Sequence, residues 1–345
     1  MFFKEIEIQN FRGIESLTIS NIGQVNLIGG RNNCGKTSIL EAVFLLVGIS
    51  NPQLIINIHA FRDLLLTDDE DFSYLFKNFD FSKKLQITGK FNLQTRALKI
   101  EPIYSTQQDD LLKIIPSEKF ISNSSNTYRN EIDGLRLKFN IDNKEFNNEI
   151  KIKQGAFESK ISTGYKEKII SSFINAKNIT DTIRSLDAIL VKKNLEIVIN
   201  ALQEIEPNLS DIRIGDRGMI YVDIGMDNLI PINIIGDGIR RIISILSAIA
   251  EKRDAIILID EIENGLHYSA LSTLWKAVFK IALANNVQLF ITTHSYECIQ
   301  AFASVRKQYD IDISYFRIDK NNGHKALQYN SDTLDAGIER EFEVR

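Results

Sequence analysis

The stretch Val25–Ser38, VNLIGGRNNCGKTS, starts as a short apolar run and opens into a glycine-framed loop that ends in lysine and threonine. Gly30, four intervening residues, then Gly35, Lys36 and Thr37 match the phosphate-loop pattern in full. In such a loop glycines let backbone N–H groups turn toward a phosphate held at the N-terminus of the next helix. Lys36 would reach the β- and γ-phosphates, and the Thr37 hydroxyl would coordinate Mg2+. The flanks agree with this layout. Before the loop, FFKEIEIQNF and SLTIS alternate apolar and polar residues and read as strands delivering the chain into it. After it, Ile39, Leu40, Val43, Phe44 and Val47 recur at helical spacing, and Gly48 is placed to stop that helix.

Further out, the pattern divides the chain. Residues 1–50 and 206–345 read as a nucleotide-binding core, 51–164 as a β-rich insertion and 165–205 as a helical subdomain, all within one domain spanning 1–345. In the insertion, KLQITGKFNLQ, LRLKFNID and NEIKIKQG look like antiparallel strands with NSSN and IDNKE as turns. IYVDIG and IPINII then read as strands. The last third alternates helix IRRIISILSAIAEKR, strand AIILID, helix SALSTLWKAVFKIALANN and strand VQLFITTHS, with IDISYFRID as a final strand. Continuous apolar strands alternating with helices indicate a buried, mostly parallel sheet, and the fold class is α/β.

Three more elements carry chemistry. AIILIDEIENGLH is an apolar strand ending in Asp260 and Glu261; the aspartate can join a Mg2+ shell and the glutamate can polarise an attacking water, or the pair simply favours a helix N-terminus. His294 stands just past the next strand, VQLFITTHS, where a sheet neighbour would deliver it to the same crevice; the alternative is a packed or surface histidine. Gly236, Asp237 and Gly238 open a helix about 20 residues before Asp260, as a second anion site or as a cap or hinge.

That order of motifs resembles the ATP-binding-cassette ATPases, specifically the branch holding SMC, RecF and the OLD (overcoming lysogenization defect) ATPases. NFRGIESL looks like their first strand and turn, GGRNNCGKTSILEA like their Walker A, ILIDEIENGLH like Walker B with its D-loop, and ITTHS like the switch histidine. The resemblance implies an ATPase head of phosphate-loop type with a mostly parallel core sheet, an antiparallel β-rich lobe and an α-helical insertion. It implies ATP and Mg2+ as cofactors, with Gly30, Asn32, Asn33, Gly35, Lys36, Thr37 and Ser38 on the nucleotide and Thr37 and Asp260 on the metal. Glu261 would be the general base and His294 the γ-phosphate sensor. Gly236–Asp237–Gly238 stands where the signature motif would complete the site of an opposite subunit, implying a homodimer or higher homo-oligomer. GDGIRR departs from the transporter-type LSGGQ. Arg12 resembles a nucleotide-contacting arginine, with a surface arginine after a strand as the alternative. Gln53, Gln86 and Gln94 are all candidates for a Q-loop glutamine, and none is assigned.

Composition sets limits. The net charge of −4 makes no global attraction to nucleic acid, although residues 151–193 hold nine basic side chains against four acidic ones, as a solvated helical face or a binding groove. Cys34 and Cys298 form no metal spacing or disulfide framework, which fits a reducing cytoplasm. Neither a signal peptide nor a membrane span is expected. About 50 residues follow His294, too few for the Toprim nuclease of self-sufficient OLD proteins. No coiled coil or CxxC of the zinc-hook type is present in the sequence. By analogy with the ATPase components of two-gene anti-phage systems such as PARIS, the partner would be a separate effector, a toxin or nuclease encoded nearby. DNA or a phage protein would be the trigger. The alternative is a RecF-like clamp that closes around DNA, with Lys192 and Lys193 in its groove.

Overall fold

The computed structural model describes residues 2–104, 132–153, 156–175, 180–191, 195–321 and 323–339. Strands β1 (Phe3–Phe11) and β2 (Ile14–Ser20) form a hairpin, and β3 (Val25–Gly30) runs into the phosphate loop and helix α1 (Lys36–Val47). Helix α2 (Gln53–Ala60) and two 3-10 segments, Asp69–Leu75 and Lys77–Phe79, come before the meander β4 (Leu85–Phe91), β5 (Gln94–Tyr104), β6 (Ile132–Ile141), β7 (Lys144–Lys153) and β8 (Ala156–Lys160). Next come β9 (Ile170–Ile174), α3 (Thr180–Val191) and α4 (Leu195–Gln203). A small ribbon follows, β10 (Asp211–Ile214), β11 (Ile220–Asp223) and β12 (Ile230–Pro231), then α5 (Ile232–Ile235) and α6 (Asp237–Glu251). The chain ends through β13 (Ala255–Ile259), α7 (Leu271–Asn285), β14 (Gln288–Thr292), α8 (Tyr296–Arg306), β15 (Ile313–Asp319), β16 (Lys325–Tyr329) and α9 (Ser331–Glu339).

The core sheet has the order β16-β15-β3-β14-β13-β9, parallel throughout except for the edge strand β16. Its central strands β3, β13 and β14 are buried along their whole length because both faces are covered. Val25, Leu27, Ile257, Ile259, Leu289 and Ile291 pack with α6, α7 and α8. Their alternates Ile28, Ile256, Leu258 and Phe290 pack with α1 and, beyond it, the antiparallel sheet β2-β1-β4-β5-β6-β7-β8. Helix α1 is therefore buried on nearly every side. Arg96 of β5 ties it down, donating to the carbonyls of Leu46 and Val47 at the helix C-terminus while paired with Glu167.

Some expectations change here. Residues 170–174, read as part of a helical stretch, form the outer strand of the core sheet beside β13, because Phe173 and Ile174 face opposite covered sides. Strands β1 and β2, grouped by sequence with the core, belong instead to the antiparallel sheet, where β1 pairs with β2 on one side and β4 on the other. IPINII is strand only at Ile230–Pro231 before it coils into α5, and α2 interrupts the region read as strands. The IDNKE turn is present, with Asp142 and Asn143 both at positive φ as a tight hairpin requires. NSSN lies outside the described residues. Among the described residues no helix is long and apolar enough to cross a membrane.

Candidate functional site

The loops after β3, β13 and β14 leave the same end of the parallel sheet, which brings distant segments of sequence together. Gly30 closes β3 at a φ of 141°, and a Cβ there would lie 2.7 Å from the Ile318 carbonyl, so only glycine fits the turn. Asn32 and Asn33 sit exposed at the loop tip, while Ser38 is buried one turn into α1. Gly35 caps α1 in the left-handed region with no side-chain cap, leaving the first helical N–H groups to the loop. Lys36 folds back over the loop, its Nζ donating to the carbonyls of Gly30 at 2.7 Å and Arg31 at 2.9 Å, and burial lowers its pKa.

Thr37 and Asp260, far apart in sequence, meet here. The Thr37 hydroxyl donates to the Asp260 carboxylate, with both oxygens at 3.2 Å. Thr292, at the end of β14, donates its hydroxyl to Asp260 Oδ1 at 2.6 Å and accepts from the Glu261 N–H at 2.9 Å. Glu261 has a φ of 48°, a conformation non-glycine residues seldom hold. Arg241, one turn into α6, stabilises it: its Nη2 donates to the carbonyls of Asp260 at 2.6 Å and Glu261 at 3.2 Å, and its Nη1 to that of Asn175 at 3.1 Å. Glu261 Oε1 lies 3.1 Å from His294 Nε2. The backbone of His294 is fixed in turn by Glu263, whose Oε1 accepts from the N–H groups of His294 at 2.6 Å and Ser295 at 3.1 Å.

Arg12 is not on the surface. Its side chain is buried, its Nε lies 2.6 Å from Glu41 Oε2, and its Nη2 donates to the Ile58 carbonyl at 3.1 Å. Burial pulls its pKa down to about 10, so it stays charged at neutral pH. Arg62 grips the other oxygen of the fully buried Glu41 at 2.7 Å and reaches the Ser38 hydroxyl at 3.1 Å. Two guanidiniums thus share one carboxylate beside the start of α1.

Asp237 and Gly238 lie beside a different neighbour, the turn at Gly265, whose carbonyl lies 3.2 Å from where a Gly238 Cβ would stand, while the Gly236 position is open. Asp237 opens α6 in pairing with Arg240 at 2.8 Å. Exposed apolar side chains flank this point, Ile234 just before it and Tyr268 just beyond the Gly265 turn. Of the unassigned glutamines, Gln53 begins α2, Gln86 lies in β4 and Gln94 begins β5, all off the core sheet. Lys151, Lys153 and Lys160 sit on strands rather than a helical face; Lys151 pairs with Asp133 and Lys153 with Glu158. Lys177, Lys192 and Lys193 lie outside the described residues.

Sequence reading missed Glu41, Arg62, Arg241, Glu263 and Thr292. Four of them stand inside stretches singled out for other residues, Glu41 in GGRNNCGKTSILEA, Arg241 in GDGIRR, Glu263 in ILIDEIENGLH and Thr292 in ITTHS; Arg62 stands in none.

Residues 25–299 match the family model described as "AAA domain, putative AbiEii toxin, Type IV TA system". An ATP/GTP phosphatase of Helicobacter pylori is 26% identical over 338 residues, covering 89% of each chain. The DNA replication and repair protein RecF of Bacillus thuringiensis is 32% identical over 101 residues, which are 29% of this chain and 22% of RecF. Among solved structures, an SMC head bound to the winged-helix domain of ScpA superimposes with a TM-score of 0.52 at 11% identity, over 98% of this chain and 100% of that one. The SMC head of Thermotoga maritima gives 0.51 at 11% identity, over 96% and 100%. These structures share the α/β fold of the ATPase head.

Proposed function

The chain belongs to the AAA-domain family matched by residues 25–299, and from that premise we propose that it binds ATP with Mg2+ and hydrolyses the terminal phosphate. The observation that carries the proposal is the convergence of Thr37, Asp260, Glu261 and His294 at one end of the core sheet. The donor set fits Mg2+: a hydroxyl and a carboxylate are hard oxygen ligands, and this ion takes few protein ligands and fills its shell with water and phosphate. When bound, Mg2+ neutralises charge on the phosphate oxygens. Among the described residues there is no cluster of three His, Cys, Asp or Glu side chains that would hold a metal alone.

In this reading the loop N–H groups and Lys36 bind the phosphates, and Thr37 and Asp260 hold the metal. Glu261 orients the attacking water and takes its proton at the carboxylate. His294, within hydrogen-bond distance of Glu261, reads the γ-phosphate position. Thr292 and Arg241 hold the Walker B turn in place. The name of the Helicobacter pylori relative, ATP/GTP phosphatase, supports nucleotide hydrolysis. Lys36→Ala is expected to lose ATP binding; a variant that binds normally would remove the phosphate-loop assignment.

For the biological role we propose a cytoplasmic sensor or scaffold in anti-phage defence. It oligomerises through nucleotide sandwiched between its own site and Gly236–Asp237–Gly238 of a second copy, and it controls a separate toxin or nuclease. The family description, naming a putative toxin and a type IV toxin–antitoxin system, supports a two-component setting. The exposed Ile234 and Tyr268 beside α6 support self-association through that face. A second reading, a RecF-like DNA clamp, is favoured by the local RecF match. Affinity purification of Glu261→Gln with ATP, from cells carrying the neighbouring genes, separates the two. A stoichiometric protein partner supports the sensor, and nuclease-sensitive DNA alone supports the clamp.

A further inference from the structure

Beside the start of α1 lies a cavity of about 780 Å3, a size within the roughly 300–1,000 Å3 typical of small-molecule sites. Gly35 and Ser38 of the phosphate loop and α1 line it with Arg12 and Arg62, and so do the aromatic side chains Tyr74 and Phe79. The charged wall has its fixed geometry from Glu41, which holds both guanidiniums.

The aromatic wall is equally well anchored. Phe72 and Leu75 are fully buried, the Leu75 carbonyl accepts from the Arg12 N–H at 2.7 Å, and Lys77 Nζ donates to the Gly13 carbonyl at 2.8 Å. The segment is thus pinned to the β1–β2 hairpin. Yet at its end Asn78 and Phe79 both adopt left-handed backbone, with φ of 57° and 60°. For a bulky residue such as Phe this is a backbone outlier, a kind of strain that persists at ligand clamps when the surroundings enforce it. The strained backbone leaves the Phe79 ring 66% exposed, set edge-to-face against Tyr74 with centroids 5.8 Å apart. The positive-φ backbone and the exposed ring thus coincide at the cavity that also holds the start of the phosphate-loop helix.

We propose that Phe79, supported by Tyr74, is the stacking platform for the base of the nucleotide whose phosphates the Gly35–Ser38 loop holds. The inference rests on the nucleotide reading above and adds the base subsite to it. Arg12 and Arg62 line the same cavity and bring positive charge to it. Stacking on an aromatic face is worth about tenfold in affinity and does not depend on the phosphates. In ATP turnover it acts as uniform binding, so its loss raises KM and spares kcat.

The test compares Mg-ATP with inorganic tripolyphosphate, which has phosphates and no base, by calorimetric titration of the full chain. Because Phe79 is largely exposed, Phe79→Ala should fold, and an unchanged melting temperature checks this. Phe79→Ala is expected to weaken ATP about tenfold while tripolyphosphate binds as to the native chain, and Phe79→Trp is expected to restore ATP affinity. ATP affinity unchanged in Phe79→Ala, or both ligands weakened alike, overturns the base platform. Lys36→Ala, expected to lose both ligands, shows separately whether the phosphate-loop reading stands. A native chain that binds neither ligand overturns both.

Discussion

His59 is fully buried, its Nδ1–H donating to the Ile55 carbonyl at 2.6 Å and its Nε2 without a partner among the described residues. A second proton would put a charge on a buried nitrogen with no acceptor, and burial accordingly pulls the pKa from 6.5 to about 4. As pH falls below 6.5 the unfolded chain takes up this proton before the folded one does. The contribution to stability is therefore complete above pH 6.5 and is lost as pH falls toward 4. At pH 5 the loss is about 2 kcal/mol relative to pH 8. Urea unfolding at both pH values should show that difference narrowing in His59→Phe; an identical pH slope in the variant would refute the assignment. Nothing in the sequence around His59 announces this role. The same holds for Glu41 and Arg62, whose meaning comes from each other across a turn and a helix, whereas Lys36, Thr37 and Asp260 stand at spacings fixed by what a phosphate and a metal require.

At the scale of elements, the strands and helices of the last third were legible because a strand covered on both faces is apolar without interruption and a helix between two such strands keeps its 3.6-residue period. Ile170–Ile174 escaped because it is short, is an edge strand and carries two serines, Ser171 and Ser172, one on each face. The more consequential element is α6. It begins at Gly236–Asp237–Gly238 and one turn later places Arg241 on the carbonyls of Asp260 and Glu261, so one rigid helix joins the surface expected to meet a second copy to the strained turn that aims Glu261. Arg241→Met should lower kcat tenfold or more with little change in KM for ATP, because it disturbs the position of a group used only in the reaction. Wild-type kcat in this variant, or a change in KM alone, would remove Arg241 from that role.

At the scale of the whole molecule, the mostly parallel sheet, the antiparallel sheet and the phosphate loop between them give the fold of an ATPase head, and two of its exposed apolar side chains, Ile234 and Tyr268, lie beside the start of α6. Glu261→Gln with ATP is expected to sediment as a dimer, and adding Ile234→Asp with Tyr268→Asp should return it to a monomer that still binds ATP. A dimer untouched by both changes would place the interface elsewhere. The decisive measurement remains nucleotide turnover by Glu261→Gln, followed together with ATP binding. The site described here requires that the variant bind Mg-ATP about as tightly as the native chain while its hydrolysis rate falls about a hundredfold or more. Hydrolysis at the native rate would contradict the assignment of Glu261 and, with it, the reading of this sheet end as the catalytic centre.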